Sequence, residues 1–177
     1  MHVVRPIYRD SGRIYRSDKC LPLIEAHQAG KIQLEAWAKL DYPGTRMPQE
    51  ILPGVNTVGF WNAHFQQEWG LPWHRNEGIE ITFLESGIMP FSVDENDYTI
   101  MPNEITVTRP WQPHRLGNPN IGIGKLYWLI LDVGVRHPHQ EWTWASWIML
   151  TKSDLDDLTM ILRQNEQPIW KVNQDIR

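Results

Sequence analysis

Two short runs of this chain hold side chains that could do chemistry together. His74, Asn76, Glu80 and Gly87 are spaced as H-x-N-x3-E-x6-G, and about thirty residues on comes Pro-Trp-Gln-Pro-His114-x3-Asn118. Two imidazoles and a carboxylate suit a divalent metal. On an extended chain His74, Asn76 and Glu80 have the same parity, so they project to one face, and Thr82 continues it. The opposite face reads Ile79, Ile81, Phe83, an ordinary packing surface. The polar face is therefore expected to look into a pocket, where His114 from another strand can join it. An amide oxygen is a weak ligand for a transition metal, so Asn76 leaves three good ligands at most: His74, Glu80 and His114. Three plus a water can hold zinc. The competing reading makes His74 and His114 hydrogen-bonded pocket histidines without metal.

Other polar and aromatic residues near these runs are candidates for ligand contact. The chain has ten tryptophans. Aromatic rings fill cores, and Trp128, in the most apolar run, reads as core. Trp61, Trp69, Trp73 and Trp111 lie near the ends of the two runs. Trp73 and Trp111 flank His74 and His114 and are the better placed to stack on a ligand whose hydroxyls are bonded by His, Asn, Glu and Arg. Arg109 could pair with Glu80 inside the pocket or with a surface carboxylate. Arg75 and Glu77 have the other parity and read as surface or rim residues. His137 and His139 form no metal pair with any carboxylate at helical spacing and read as a solvated loop. Cys20 has no neighbouring Cys or His pattern and reads as a buried structural thiol. No Walker loop, dinucleotide fingerprint or nucleophile elbow is present.

The elements that must position these groups are mostly short strands. Residues 1–18 alternate Arg and Tyr and read as an irregular arm. Residues 20–29 have helical spacing at Leu23, Ala26 and His27, with Gly30 as the terminating glycine. Residues 32–40 read as a strand ended by Tyr42-Pro43-Gly44. Further strands are expected over 57–62, 78–85, 89–93, 98–101, 104–108 and 125–133, with turn residues between several of them. That pattern predicts a barrel or sandwich. From Thr151 or Ser153 the period becomes helical, with Leu155, Leu158, Ile161 and Leu162 on one side. Pro168 reads as the first residue of a second helix carrying Ile169, Val172 and Ile176, still running at Arg177 as if cut from a longer protein. The expected division is an arm over 1–18, a barrel with its preceding helix over 19–150, and a helical segment over 151–177.

Composition excludes several classes. At 177 residues the chain fits one domain with appendages. Lys and Arg number 17 against 21 Asp and Glu, a net charge of −4, so a nucleic-acid footprint is missing. One cysteine allows no intramolecular disulfide. There is no apolar run of membrane-spanning length and no secretory h-region, so a cytoplasmic protein is expected.

The two runs resemble the motifs of the cupin barrel, H-x-H-x3-E-x6-G and a second motif ending in H-x3-N. The match holds at His74, Glu80, Gly87, His114 and Asn118. It departs at Asn76, where cupin enzymes carry a histidine, and at Asn103, Arg109 and Trp111, which stand for glycine, proline and glycine. Asn103 can still adopt the left-handed turn conformation. The order of arm, short helix, cupin-like (double-stranded β-helix) barrel and two amphipathic helices is similar to the N-terminal sensing and dimerisation half of AraC/XylS-type regulators. That resemblance implies a homodimer, a small effector, often a sugar, bound inside the barrel, and an arm able to fold over it. It implies DNA binding only through a helix-turn-helix domain outside these residues, and no catalysis or cofactor. The alternative is a metal-dependent cupin enzyme, an isomerase or oxygenase on a small polar substrate, with zinc, iron or manganese on His74, Glu80 and His114.

Overall fold

The structure, a computed structural model, describes residues 5–173. A hairpin of β1 (Ile7–Asp10) and β2 (Arg13–Arg16) precedes helix α1 (Leu21–Gln28). Then come β3 (Gln33–Ala38), β4 (Thr45–Arg46), β5 (Val55–Ala63), β6 (Leu71–His74), β7 (Ile79–Gly87) and β8 (Met89–Val93). The chain continues through β9 (Asn96–Ile100), β10 (Glu104–Thr108), β11 (His114–Leu116) and β12 (Gly124–Leu131), and ends in α2 (Lys152–Gln164) and β13 (Ile169–Lys171). A seven-stranded sheet runs β13-β10-β7-β12-β5-β3-β4, and a four-stranded sheet runs β6-β11-β8-β9. All pairings are antiparallel except β3 with β4.

Strand alternation builds the lumen. On β12, Leu126, Trp128 and Ile130 are buried while the residues between them are only partly covered. Register places them beside Leu84, Thr82 and Glu80 of β7 and beside Trp61, Gly59 and Thr57 of β5. Directly opposed residues share a face, so these columns line one interior, which Met89, Phe91, Val93 and Leu116 complete from the smaller sheet. The far end is apolar, with Leu84, Leu126 and Trp61. The end holding Glu80 is polar: Thr82 and Thr106 share a hydroxyl hydrogen bond of 2.6 Å, and the Trp128 indole donates to Thr57 at 3.1 Å. Trp128 is thus core, as its apolar run predicts.

A second cluster covers the outer face of the large sheet. Val58, Ile81, Ile105 and Leu129 pack there with Trp142, Trp144, Ile148 and Leu162. This explains why 125–131 reads as almost continuously apolar. Helix α2 starts at Thr151, whose hydroxyl accepts from the Asp154 N–H while the Asp154 carboxylate accepts from the Thr151 N–H. Leu155 and Leu158 are half-buried, whereas Met160 and Ile161 are exposed.

Several expectations are corrected. The irregular arm is a hairpin, registered Tyr8 to Tyr15 and Arg9 to Ile14 around Ser11-Gly12. The second C-terminal helix does not start at Pro168. Ile169–Lys171 form β13, paired with β10, because the open edge of β10 offers backbone partners to a β-branched and aromatic triplet. The rest of that predicted helix, 174–177, lies outside the described residues. Among the described residues, no helix is long and apolar enough to cross a membrane.

Turn chemistry matches the motif positions. Gly87 has φ 94°, and a Cβ there would meet the Ile123 carbonyl oxygen at 1.9 Å, so only glycine fits. Asn103 and Trp111, at positions where the cupin motif has glycine, both keep left-handed backbone, with φ 67° and 64°.

Candidate metal centre

His74 ends β6 and His114 opens β11, and the two are register partners with ring centroids 4.2 Å apart. Glu80 enters from the other sheet, as the second residue of β7. Residues 75–78 carry the chain from one sheet to the other. His74 and Glu80 therefore do not share one extended strand, and equal parity is not what unites them. They meet because the link between the sheets brings the end of β6 over the start of β7.

The three side chains converge. His114 Nε2 lies 2.8 Å from Glu80 Oε2, and one ligand atom from each of His74, Glu80 and His114 falls within 4.8 Å of the others. Asn76, buried in the link, donates its amide to the same Glu80 oxygen. Among the described residues its buried Oδ1 has no partner, and neither has the buried hydroxyl of Thr108, which opposes Glu80 in the sheet register. A buried polar atom left unpaired costs about 1–3 kcal/mol. Two beside a set of imidazole and carboxylate donors are what a site completed by a bound species would show.

Both imidazoles are oriented alike. His74 Nδ1–H donates to the Pro72 carbonyl at 2.7 Å, and His114 Nδ1–H to the Gln112 carbonyl at 2.9 Å. Each histidine thus bonds the carbonyl two residues before it. The tautomers follow from these acceptors, and Nε2 of both rings is left to face Glu80 and the lumen. Metal-ligating histidines are held by such bonds. The donor set fits a divalent transition metal.

Electrostatics divides the pair. Burial, and then the neighbouring His114, lower the pKa of His74 to about 4, so it is neutral at pH 7. Burial opposes a charge on His114 as well, but the hydrogen bond and charge of Glu80 outweigh it and raise His114. Burial would raise Glu80, yet its bonds to His114 and Asn76 and the charges of both histidines hold it below the usual carboxylate range. His114 and Glu80 therefore favour each other's charged forms, beside a neutral His74.

A pH dependence follows. Unfolded His74 takes a proton below pH 6.5, and the folded residue refuses it until about pH 4. Stability of the metal-free protein is expected to fall across that window as pH drops, by on the order of 3 kcal/mol from this group. His114 acts oppositely, stabilising below pH 6.5 and losing that contribution as pH rises through its raised pKa. Glu80 stabilises above 4.5, a contribution lost only at lower pH. Urea unfolding of wild type and His74→Gln from pH 4 to 7 checks this. Equal acid-side slopes in the two proteins would rule out His74 as the source.

The remaining predicted residues separate. Trp73 is exposed on β6, with the Arg115 guanidinium 4.9 Å above its ring. Trp111 is buried: its indole N–H donates to the Val135 carbonyl at 2.7 Å, and Tyr8 of the hairpin stacks on it at 5.5 Å. Arg109 pairs with Asp94 and with the Arg163 carbonyl, not with Glu80, so its surface alternative is the one adopted. Trp61 is in the lumen core and Trp69 packs against it. His137 and His139 are exposed. Arg75 is at the rim, where the sequence reading put it, with its guanidinium 4.5 Å over Tyr15.

Glu77 contradicts its predicted rim position. It is completely buried, bonded by the Tyr42 hydroxyl at 2.8 Å and by the Asn56 amide. Strand parity does not apply to it, because it lies in the crossing link. Cys20, with φ 54°, precedes α1 and is only partly exposed, and burial, then Glu80, raise its thiol pKa.

The hairpin supplies residues that the sequence reading left out. A cavity of about 570 Å3 lies between it and the barrel mouth, lined by Tyr15, Arg16 and Asp18 on one side and by Trp73, His74 and Arg75 on the other. The alternation of Arg and Tyr over 8–16 was the available signal, and it points to a strand pair whose two faces differ.

Residues 61–130, which span both histidine motifs, match the family model of the cupin domain. The fold is a cupin-like barrel. A comparison with curated proteins finds no match. Among solved structures, a cupin superfamily protein of Desulfitobacterium hafniense DCB-2 is similar at 11% identity and TM-score 0.42, covering 56% of this chain and 78% of that one. A predicted oxalate decarboxylase of Thermotoga maritima is similar at 14% identity and TM-score 0.43, with 58% and 94% covered. The Escherichia coli pirin YhhW in complex with nickel(II) is similar at 11% identity and TM-score 0.47, with 60% and 47% covered. Within residues 61–130, Asn76 stands where the cupin motif has a histidine.

Proposed function

We propose that this cupin-like barrel holds one divalent metal on His74, Glu80 and His114 and acts as a metal-dependent enzyme on a small polar substrate. The observation that carries the reading is the convergence of three ligand atoms within 4.8 Å, with both imidazoles tied at Nδ1 so that Nε2 is the nitrogen each can offer to a metal. Two imidazoles and one carboxylate leave positions open for substrate. When bound, the cation would supply Lewis acidity or redox chemistry there. The chain's own groups do the rest. Pro72 and Gln112 fix the rings, Asn76 holds the Glu80 carboxylate, and the hairpin covers the mouth. Glu80 favours the protonated form of His114, which cannot ligate a metal, so affinity is expected to rise with pH. Elemental analysis after mild purification tests the reading. Stoichiometric iron, manganese, nickel or zinc supports it, and metal-free protein that also fails to take up any of them in dialysis refutes it.

A second reading, a ligand sensor that works as a dimer, draws on the helical appendage. None of the residues of α2 is buried, and Met160 and Ile161 on it, with Met149 and Leu150 just before it, present apolar surface. In this reading a second copy covers that face and the barrel holds an effector, sugar-like in the regulator version. The paired substitutions Leu158→Glu and Ile161→Glu are expected to turn a dimer into a folded monomer. Light scattering that gives the same mass for wild type and variant excludes it.

A further inference from the structure

We propose that the cavity under the β1–β2 hairpin is the substrate site and that it takes a small carboxylate, bound by Arg75 and Arg16. The proposal rests on the metal reading above and names the substrate class for it. The cavity adjoins the metal centre, because His74 lines it, and at about 570 Å3 it has room for a compact organic acid with an aromatic or aliphatic body. Trp73 and Tyr15 provide flat apolar walls.

Charge selects the ligand. Two neutral imidazoles and one carboxylate around a divalent cation leave one positive charge uncompensated, which an anionic ligand neutralises. Arg75 gives one hydrogen bond to the Trp111 carbonyl and lies over Tyr15, and its other N–H groups have no acceptor among the described residues. The Arg16 guanidinium has no hydrogen bond or ion pair among the described residues. A guanidinium offers a planar pair of donors that matches a carboxylate. Asp18 and Glu95 also line the cavity. Asp18 accepts the Cys20 N–H at 2.6 Å, and Glu95 is exposed. With the cation, Glu80, both arginines and both acids counted, one positive charge remains. The two acids suit a ligand that also carries hydroxyl or amino donors.

Each partner comes from a different part of the fold. Arg16 belongs to the hairpin and Arg75 to the link between sheets, so a carboxylate held by both would tie the hairpin to the mouth. Tyr8 on Trp111 and the Asp18 N–H on the Arg75 carbonyl at 3.0 Å already place the hairpin there.

Calorimetry of zinc-loaded and metal-free protein with lactate and mandelate, each matched with its neutral amide, tests the assignment. The acids are expected to bind at least about tenfold more tightly than the amides, and Arg75→Gln or Arg16→Gln to remove about tenfold from acid binding. Zinc affinity and amide binding should not change in either variant. Arg16→Gln breaks no hydrogen bond or ion pair among the described residues, so it remains informative if Arg75→Gln disturbs the hairpin. Equal binding of acids and amides, no acid binding at all, or full acid affinity in both variants overturns the proposal. Failure to bind zinc with arginine-dependent acid binding intact would instead overturn the metal reading alone.

Discussion

Adding zinc or nickel to metal-free protein at pH 7.5 is expected to raise its melting temperature by about 5–10 °C once free metal exceeds its dissociation constant a hundredfold. A ligand that binds only the native state at that ratio stabilises by about 2.7 kcal/mol, and a chain of this size gains about 2–4 °C per kcal/mol. The effect should vanish in His114→Ala and in Glu80→Gln. The first removes an imidazole, and the second removes the one negative charge among the three ligands. Each variant is expected to bind metal about a hundredfold or more weakly. Asn76→Ala should cost less, about tenfold, because Asn76 orients Glu80 through its amide and does not lead the donor set. Asn76→His has the opposite sign: it restores an imidazole where the cupin motif has one and should tighten metal binding. A melting curve indifferent to every divalent metal, or a His114→Ala protein that responds like wild type, would leave the site as a hydrogen-bonded pocket.

Replacing Glu77 is expected to be the most damaging single change outside the His74, Glu80 and His114 cluster. The carboxylate is fully buried and accepts from both the Tyr42 hydroxyl and the Asn56 amide. Glu77→Ala strands those two buried donors, at about 1–3 kcal/mol each, and opens a void between β5 and the link that carries Asn76. A loss of about 3–5 kcal/mol, or roughly 6–20 °C in melting temperature, is expected. Glu77→Gln keeps the volume and one acceptor and should lose about half of that. Burial is the main reason the Glu77 pKa is raised. Its charge is a cost that appears as pH rises from 4.5 through the raised value, and Glu77→Gln should remove that component of the pH dependence. Thermal melts at pH 5 and pH 8 give both results. A variant as stable as wild type at both would show that Tyr42 and Asn56 find other partners.

The outcome for Glu77 shows why parity reasoning succeeded on some residues and failed on others. On β7, where the chain is a regular strand, Glu80 and Thr82 do face the lumen while Ile79 and Ile81 pack outward. At 75–78 the chain crosses between sheets, and a period of two carries no information there. The short strands escaped for a related reason. β6 and β11 have four and three residues, too few for a pattern, and β6 holds a proline that its edge position tolerates. β13 was read as helix because its apolar residues fit a helical period as well as a strand period over so short a run. Only the open edge of β10 distinguishes the two.

What the sequence determined by itself is the barrel and the motif residues that are candidates for its site. Alternating short strands, the turn residues Gly87 and Asn103, and the spacing of His74, Glu80 and His114 follow from local stereochemistry and repeat length, which a linear chain records. What only the tertiary structure decided is which groups share the site. The Nδ1 bonds to Pro72 and Gln112, the burial of Glu77, the removal of Trp111 into the core and the placing of Arg16 and His74 on one cavity all depend on where two sheets and a hairpin meet. That meeting is set by packing between residues far apart in the chain, and no local period encodes it.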